Sequence, residues 1–439
     1  MQEQGNGGNM EMWQPESGVK YTFADGSNPY EQEREKKEKK YYFTGMLTGI
    51  FLSVVLVCGG FLIWSIVKDK DNGAASVETS VVNTSSTQKL EILQSTIEQY
   101  YLEDVDPAVL EEGMYAGMLE ALDDPYSVYY TPEELNELLE QTQGIYYGIG
   151  AYVGIDATTN YPYISKVIDG TPAQAAGLLS GDLIYEVEGE NVHGMDTDMV
   201  VAKIKGPEGT DVNITIARPD GAIYEYIEMT ITRAKINNPT IAYEMLENGI
   251  AYIQITGFED TTTDQFIEAL ATAKGSGMQG LIIDLRGNPG GNLSTVVEIA
   301  QQLLPEGLIV YTEDKNGYRE EYTCDGKRQL DVPLVVLVDG DSASASEILA
   351  GAIKDYEIGT LVGTTTFGKG IVQRIMQLTD GSAIKLTISK YYTPDGYNIH
   401  GTGIEPDVVV EFDAESYLAD GTDNQLEEAK RIMNEMLAE

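Results

Sequence analysis

The spacing of apolar and polar residues changes several times along the chain. Between residues 89 and 143, apolar residues recur every three or four positions, which predicts amphipathic helices rather than strands. A helix start inside this region is marked by Thr131, which is followed by Pro132 and, three positions after the threonine, by Glu134. We therefore interpret residues 89–143 as a helical N-terminal layer.

Residues 144–234 show a second pattern, in which apolar and polar residues alternate between glycine-containing turns. The runs with this alternation are YPYISKVI, DLIYEVEG, DVNITIARP and YEYIEMTITR, and such alternation is typical of half-buried strands. A short helix that ends at Gly177 is predicted between the first two runs. This region is therefore predicted to be a separate, strand-rich domain.

From residue 235 to residue 439, strands and helices alternate. Continuous apolar runs such as GLIIDL and PLVVLV are followed by helical segments such as SEILAGAIKDY, which predicts an α/β fold with a largely parallel sheet. Near the end, IVQRIMQL and AIKLTISKYYT predict an antiparallel extension of that sheet. The last segment, residues 424–437, is an amphipathic helix, and it is predicted either to pack on its own domain or to pair with a second copy in a homodimer.

An uncharged apolar stretch occupies residues 43–67, and it is long enough to cross the roughly 30 Å hydrocarbon core of a membrane. The basic run REKKEKK precedes it, and this charge bias places the N-terminus in the cytoplasm. We predict a disordered cytoplasmic tail over 1–40, one transmembrane helix over 41–67 and a linker over 68–88, with the remainder extracytoplasmic. A cleaved signal peptide would have a shorter apolar region of about 7–15 residues, so an uncleaved anchor is favoured.

Composition narrows the classes of function. The 439-residue chain has 28 Lys and Arg residues against 71 Asp and Glu residues, and its net charge of −43 argues against nucleic acid as a partner. The 2 cysteines are too few for a disulfide framework or a cysteine-rich zinc site. The 2 histidines, His193 and His400, are too far apart in sequence for a local metal motif. We therefore expect no metal and no organic cofactor.

The first motif with chemical potential is VLVDGDSASASEILAGA, in which a buried strand is followed by a helix. A hydroxyl at that junction lies where free N–H groups and the helix dipole stabilise developing negative charge. The alternative role is helix capping, which Ser342, Ser344 or Ser346 could each perform. Taken alone, the motif favours the cap.

The second motif is TTTFGKGIVQ, in which Lys369 lies between two glycines. A lysine acts as a general base only when it is neutral, so burial would have to lower its pKa from about 10.4 by several units. Gln373, four positions further on, could orient the amine without adding charge. The alternative is a solvated lysine in an ordinary turn.

The third motif is IIDLRGNPGGN, in which a strand ends in a glycine-rich turn. Backbone N–H groups in such a turn can bind an oxyanion. The alternative is an ordinary connection between a strand and a helix, with Asn292 or Ser294 as the helix cap.

Together, the order GNPGG, SASASE, FGKGIVQ resembles the carboxyl-terminal processing peptidases, tail-specific serine proteases with a Ser–Lys dyad and a ClpP/crotonase-like core. The resemblance covers about residues 89–439, including LDDPYSVYYTPEE and GIEPDVVV. It implies that Ser344, the middle serine of SASAS, is the nucleophile, that Lys369 is the general base and that Gln373 orients it.

The same resemblance implies an oxyanion hole formed by the N–H groups of Ala345 and Gly290, with Gly291 as a less favoured substitute for Gly290. A Ser–His–Asp triad is the alternative catalytic arrangement. His400 lies in the same domain, but no motif connects it to Ser344.

Residues 144–234 resemble a PDZ domain in the order of YYGIGAYVG, DGTPAQAAGLLSGDLIYEVEGENV and KGPEGTDVNITIARP. This resemblance implies that the loop Gly148, Ile149 and Gly150 binds a peptide's terminal carboxylate through backbone N–H groups. The strand that begins at Ala151 would add the peptide as an extra β-strand.

We therefore expect a ClpP/crotonase-like catalytic core over 235–439 with an inserted PDZ domain, a helical N-terminal layer and one N-terminal transmembrane helix. The expected function is that of a membrane-anchored, extracytoplasmic serine endopeptidase for proteins or peptides with accessible C-termini, in which the PDZ domain could also gate activity. One alternative is a catalytically inactive PDZ scaffold that binds peptide C-termini. Another, an acyl-CoA hydratase-like enzyme with the same oxyanion turn, is disfavoured by the membrane anchor and the PDZ-like insert.

Overall fold

The computed structural model describes residues 80–221 and 223–438. The predicted cytoplasmic tail (1–40) and transmembrane helix (41–67) lie outside the described residues. Across the two described ranges, no helix combines the length and the apolar character needed to cross a membrane.

The chain divides into two compact units, the first of which ends at Asp104. Helix α1 (Thr84–Tyr100) belongs to this first unit and begins inside the segment that the sequence predicts as a linker. The reason is the side chain of Asn83, which accepts hydrogen bonds from the N–H groups of Ser85 and Ser86 and thereby starts a helix in a Ser/Thr-rich stretch.

The second unit begins with the helical layer. This layer contains α2 (Pro107–Glu120), β1 (Val128–Tyr130) and α3 (Pro132–Gln143). The predicted start of α3 is confirmed, because Thr131 and Glu134 form a reciprocal capping box there.

The PDZ-like region is inserted between the helical layer and the α/β region. Its elements are β2 (Ile145–Gly148), β3 (Ala151–Ile155), β4 (Pro162–Val167), α4 (Pro172–Ala175), β5 (Leu183–Val187), β6 (Glu190–Asn191), α5 (Thr197–Ile204), β7 (Asp211–Asp220), β8 (Ile223–Thr232) and β9 (Ala234–Asn237). Its main sheet has the order β3-β4-β5-β7-β8, so β3 is an edge strand. Strands β2 and β9 pair with each other and carry the chain into and out of this domain.

The remaining residues form the α/β region. Its elements are β10 (Ile241–Met245), β11 (Ile250–Ile255), α6 (Thr262–Gly275), β12 (Gly280–Asp284), α7 (Leu293–Ala300), β13 (Glu306–Asp314), β14 (Arg319–Asp325), β15 (Leu334–Val338), α8 (Ala345–Asp355), β16 (Thr360–Gly363), β17 (Ile371–Gln377), β18 (Ala383–Tyr392), β19 (Val408–Val409), α9 (Ala414–Asp420) and α10 (Asn424–Ala438).

The predicted parallel core is confirmed. One sheet has the order β10-β11-β12-β15-β16-β19, in which β10 is antiparallel to β11 and the other neighbours are parallel. Strands β12 and β15 are buried along their whole length, as a sheet covered on both faces requires. Helices α6, α7 and α8 contribute to the core on one face.

Helix α10 covers the other face of this sheet. Its residues Ala429 and Met433 are fully buried and share a cluster with Ile282, Val335 and Leu337 from the central strands. Of the two roles predicted for the C-terminal helix, the structure shows packing on its own domain.

The prediction that β17 and β18 extend the parallel sheet is wrong. They form a second sheet with β13 and β14, and β1 of the helical layer pairs with β18. The physical reason is the hairpin β13–β14, which the sequence pattern did not reveal and which provides β18 with an antiparallel partner. As a result, the helical layer is attached directly to the strand pair that follows Lys369.

Candidate active site

Ser344 lies in the sharp turn between β15 and α8. Its backbone angles are φ 55° and ψ −110°, an unusual conformation for a residue with a side chain. The next residue, Ala345, is the first of the helix, and its N–H donates to no backbone carbonyl within the described residues. A hydroxyl at this position can therefore react beside a free N–H and the positive end of the helix dipole.

The glycine-rich turn after β12 lies directly against Ser344. A Cβ atom on Gly290 would lie 2.8 Å from Cβ of Ser344 and 2.9 Å from N of Ala345, so only glycine fits there without displacing them. The backbone φ of Gly290, 103°, also favours glycine. The structure therefore brings together the two residues predicted to form the oxyanion hole.

Asn288 fixes the shape of this turn. Its fully buried side chain donates from Nδ2 to the carbonyl of Ile255 over 2.8 Å and accepts the N–H of Gly290 over 2.9 Å. The N–H of Gly290 is thus already bonded, whereas the N–H of Gly291 makes no hydrogen bond to another described residue. Whether Gly290 or Gly291 donates its N–H to the oxyanion together with Ala345 stays a prediction.

Lys369 lies just before β17, and its amine is half-buried. Nζ lies 4.5 Å from the centroid of the Tyr126 ring and makes no hydrogen bond to any described residue. Burial lowers the pKa of this lysine from its usual value, and the positive charge of Lys385 lowers it further, while Glu347 and Asp124 partly offset both effects. This environment favours the neutral amine that a general base requires.

Glu347 holds the serine and lysine segments together. Its fully buried carboxylate accepts hydrogen bonds at Oε1 from Thr366 Oγ1 (2.6 Å) and the N–H of Gly368 (2.7 Å). At Oε2 it accepts the N–H groups of Ser344 and Lys369, both over 2.8 Å. Sequence reasoning missed this function, although the spacing of Ser344 and Glu347 is that of a capping box.

Tyr391 on β18 makes a second connection between the same two segments. Its hydroxyl lies 2.9 Å from the carbonyl oxygen of Ser344 and 2.5 Å from that of Lys369. Burial raises the pKa of this tyrosine well above its usual value, so the hydroxyl stays protonated and can donate. Ser344 and Lys369 are therefore neighbours, although no hydrogen bond joins Oγ to Nζ.

Gln373 and the histidines lie apart from this arrangement. The side chain of Gln373 donates to Oγ1 of Thr387 over 3.3 Å and not to Lys369, so its predicted role stays a prediction. The ring of His400 forms no hydrogen bond with Ser344, and His193 packs on Tyr161 in the PDZ-like region. Among the described residues, no cluster of three or more His, Cys, Asp or Glu side chains could bind a metal ion.

The loop predicted to bind a peptide carboxylate lies at the start of the edge strand β3. Gly148 ends β2, Ile149 is buried in the domain core, and Gly150 has a φ of 86°. The carbonyls of Ile149 and Gly150 accept hydrogen bonds from Ala173 and Ile168, over 2.8 and 3.0 Å. The N–H groups of Ile149 and Gly150 donate to no backbone carbonyl of a described residue.

Comparison with known protein families assigns three regions of the chain. Residues 249–410 match peptidase family S41, residues 163–218 match the PDZ domain and residues 55–134 match the N-terminal domain of the activating protease CtpB. The fold and the site thus define a serine-type peptidase that carries a PDZ domain.

Two curated relatives support the same class. The chain is 38% identical over 298 residues to the carboxyl-terminal-processing protease of Synechocystis sp., covering 67% of this chain and 69% of that protein. It is 34% identical over 377 residues to the carboxy-terminal processing protease CtpA of Bacillus subtilis, covering 86% and 78%. The solved photosystem II D1 C-terminal processing protease matches with 30% identity, 74% and 87% coverage and a TM-score of 0.44. The chain belongs to peptidase family S41, the carboxy-terminal processing proteases.

Proposed function

We propose that this protein is a membrane-anchored, extracytoplasmic serine endopeptidase that binds substrate C-terminal tails through its PDZ domain and cleaves peptide bonds with a Ser344–Lys369 dyad. The observation that carries the proposal is the bridging carboxylate of Glu347, which binds the N–H groups of both residues over 2.8 Å. This buried carboxylate caps the start of α8 and at the same time fixes the serine and lysine segments relative to each other.

In the proposed reaction, Oγ of Ser344 attacks the scissile carbonyl carbon while the neutral amine of Lys369 takes the hydroxyl proton. Negative charge then develops on the carbonyl oxygen, where the N–H of Ala345 and an N–H of the Gly290–Gly291 turn stabilise it. The ammonium group of Lys369 returns its proton to the leaving amine, which leaves an acyl-enzyme. Water, deprotonated by Lys369, hydrolyses this ester and regenerates Ser344.

The proton transfer requires Nζ of Lys369 to turn from the Tyr126 ring towards Ser344, which rotation of a long side chain allows. Gln373 would then orient the amine by exchanging Thr387 for Lys369 as its partner. Both changes are side-chain rotations. They leave the hydrogen bonds of Glu347 and Tyr391 intact, because these bonds go to backbone atoms of Ser344 and Lys369.

The PDZ part of the proposal rests on an edge strand and a loop. In the described part of the chain, strand β3 has one unpaired edge, to which an extended peptide can add. The N–H groups of Ile149 and Gly150, which donate to no described backbone carbonyl, lie at the start of this strand and would bind the carboxylate. Bound tails would also gate the active site. A substrate with a free C-terminal carboxylate should have a KM at least about tenfold below that of its C-terminally amidated form, because one carboxylate–amide set is worth about 1.5–3 kcal/mol. Equal KM values would contradict tail recognition.

Membrane attachment follows from the uncharged residues 43–67 and the preceding basic run. Full-length protein should remain with the membrane after an alkaline wash and be digested by protease added from outside. A variant that lacks 41–67 should be released. Release of the full-length protein, or protection of its catalytic part from external protease, would contradict the proposed location. Pairing of two copies through α10 is not proposed, since its apolar side covers the central sheet.

The dyad is tested with full-length protein and a peptide substrate. Ser344→Ala and Lys369→Ala should each lower kcat by about a thousandfold or more, because each removes a reacting group. The matched controls Ser276→Ala and Lys274→Ala, at exposed positions around the end of α6, should leave kcat unchanged. A serine-reactive phosphonate should label Ser344, whereas an inactive PDZ scaffold would not be labelled and would hydrolyse nothing.

A further inference from the structure

An aromatic side chain from the helical layer lies against the amine of Lys369. The ring of Tyr126, in the turn between α2 and β1, lies with its centroid 4.5 Å from Nζ. The three motifs of the α/β region do not include this residue, and it exchanges no proton in the proposed reaction.

The turn that carries Tyr126 is firmly held. Asp124 accepts the N–H of Tyr126 at Oδ1 over 3.1 Å and the hydroxyl of Ser127 at Oδ2 over 2.6 Å. Ser127 is buried, and its Oγ accepts the N–H of Thr387 on β18 over 3.1 Å. Since β1 then pairs with β18, with Val128 opposite Lys385, the ring has a defined place beside the lysine.

We propose that Tyr126 is a positioning residue for the general base: its ring holds the amine of Lys369 at the mouth of the dyad and keeps water from one side of it. This inference rests on the proposed Ser344–Lys369 dyad. An aromatic face attracts the charged form of an amine only weakly and takes no proton from it, so exclusion of water is the larger effect and the amine stays free to turn to Ser344.

A neighbouring pair shows the contrast. Tyr130, in the same segment, lies beside Lys385, but there the tyrosine hydroxyl accepts a hydrogen bond from Nζ over 2.6 Å. Nζ of Lys385 is thus bound by a polar atom, whereas Nζ of Lys369 makes no hydrogen bond to a described residue and lies over the ring of Tyr126.

The charged groups that face Lys369 come from three elements. They are Lys385 on β18, Glu347 on α8 and Asp124 in the turn before β1. Both carboxylates are occupied by other donors, Glu347 by the serine and lysine loops and Asp124 by its own turn. Neither carboxylate forms an ion pair with the amine among the described contacts. Tyr126 would therefore act on the amine by limiting the access of water to it.

The test measures the pH dependence of kcat/KM for full-length protein. Tyr126→Ala should move the acidic limb of the profile to higher pH, because water reaches the amine and favours its charged form. At neutral pH this should lower kcat/KM about tenfold for each pH unit of displacement, with partial recovery in alkaline buffer. Tyr126→Phe keeps the ring and should retain the wild-type limb.

Tyr115→Ala is the matched control. Its ring lies in the same layer but packs on Tyr129, with the ring centroids 5.5 Å apart, so its loss should leave the limb in place. Thermal unfolding of each variant shows whether the layer stays folded. The inference is wrong if the acidic limb of Tyr126→Ala stays at the wild-type pH or moves to lower pH. It is also wrong if kcat/KM of Tyr126→Phe falls as far as that of Tyr126→Ala.

Lys369→Ala separates this inference from the proposed function. If Lys369→Ala keeps full activity, the dyad itself is wrong, and the inference falls with it. If Lys369→Ala is inactive while Tyr126→Ala has the wild-type profile, the dyad stands and only the role of Tyr126 is overturned.

Discussion

The carboxylate of Glu347 accepts the backbone N–H of Lys369 over 2.8 Å, and it does so with the same oxygen that accepts the N–H of Ser344. One buried side chain therefore connects the start of α8 with the loop before β17. The geometry of the proposed dyad therefore depends on a carboxylate that binds the backbone N–H groups of its two residues.

We expect Glu347→Gln to lower kcat by at least about tenfold, with a smaller effect on KM. An amide has one acceptor oxygen, so two of the four donors around the carboxylate would face an NH₂ group and push the two loops apart. The free energy of unfolding should fall by about 2–3 kcal/mol, which is the magnitude expected for the loss of hydrogen bonds to a buried charged group. Steady-state kinetics and denaturant titration measure both effects.

Glu268→Gln, on the exposed side of α6, is the control for the loss of one negative charge and should behave as the wild type. A Glu347→Gln variant with normal kcat would show that the hydrogen bonds of Tyr391 are enough to keep Ser344 and Lys369 in position.

Lys385 should set part of the pH dependence of the reaction. Burial lowers the pKa of Lys369, and the positive charge of Lys385 contributes in the same direction. Activity should rise with pH as Lys369 loses its proton. Lys385→Met removes the repulsion, which raises the pKa of Lys369, so the acidic limb of kcat/KM should move to higher pH.

Lys390→Met removes one charge from an exposed position on the same strand, where solvent screens it, and should leave the limb unchanged. If the acidic limb of kcat/KM for Lys385→Met stays at the wild-type pH, burial alone lowers the pKa of Lys369.

The parallel sheet and the order of the three motifs were predictable because strands buried on both faces are continuous apolar runs, as in β12 and β15. The hairpin β13–β14 was not, because the strand Arg319–Asp325 is rich in charged residues and its pattern is typical of a loop. Such a strand is specified by its partner rather than by its own sequence.

The same limit applies to the site. Ser344 and Lys369 could be placed because each lies in a local motif with glycines or small residues around it. The contacts of Tyr126 with Lys369 and of Tyr391 with Ser344 join segments that are distant in sequence, and no local spacing encodes them. Glu347 gave a local signal, but capping-box spacing alone predicts a helix start and not a connection to a second loop.

Gly290→Ala should abolish most of the activity. Its Cβ atom would lie 2.7 Å from the carbonyl oxygen of Ala343 and 2.8 Å from Cβ of Ser344, so the serine turn must shift. Gly287→Ala is the matched control in the same turn: it also requires a positive φ, 68°, but its Cβ would meet no atom within 4 Å. Both variants should lose about 1 kcal/mol of stability from the backbone conformation alone.

Only Gly290→Ala should reduce kcat, by about a hundredfold, because the displaced turn no longer points its N–H groups at the oxyanion, an effect comparable to the loss of one oxyanion-hole donor. Comparable kcat values for the two variants would show that the turn is not part of the oxyanion hole.

A chain of contacts leads from the PDZ domain to this glycine turn. The hydroxyl of Tyr152 on β3 donates to Oδ1 of Asn238 over 2.9 Å, and Nδ2 of Asn238 donates to Oε1 of Glu259 over 2.7 Å. The residue before Glu259, Phe258, donates its N–H to the carbonyl of Gly290 over 3.0 Å.

If an added peptide strand affects the active site through these contacts, Tyr152→Phe should weaken the effect. The ratio of kcat for substrates with a free C-terminal carboxylate to kcat for their amidated forms should fall towards one, while the corresponding ratio of KM values persists because the carboxylate loop is intact. Tyr224→Phe, an exposed tyrosine on β8, should change neither ratio. An unchanged kcat ratio in Tyr152→Phe would mean that the PDZ domain gates the active site by another route, or that it contributes only to binding.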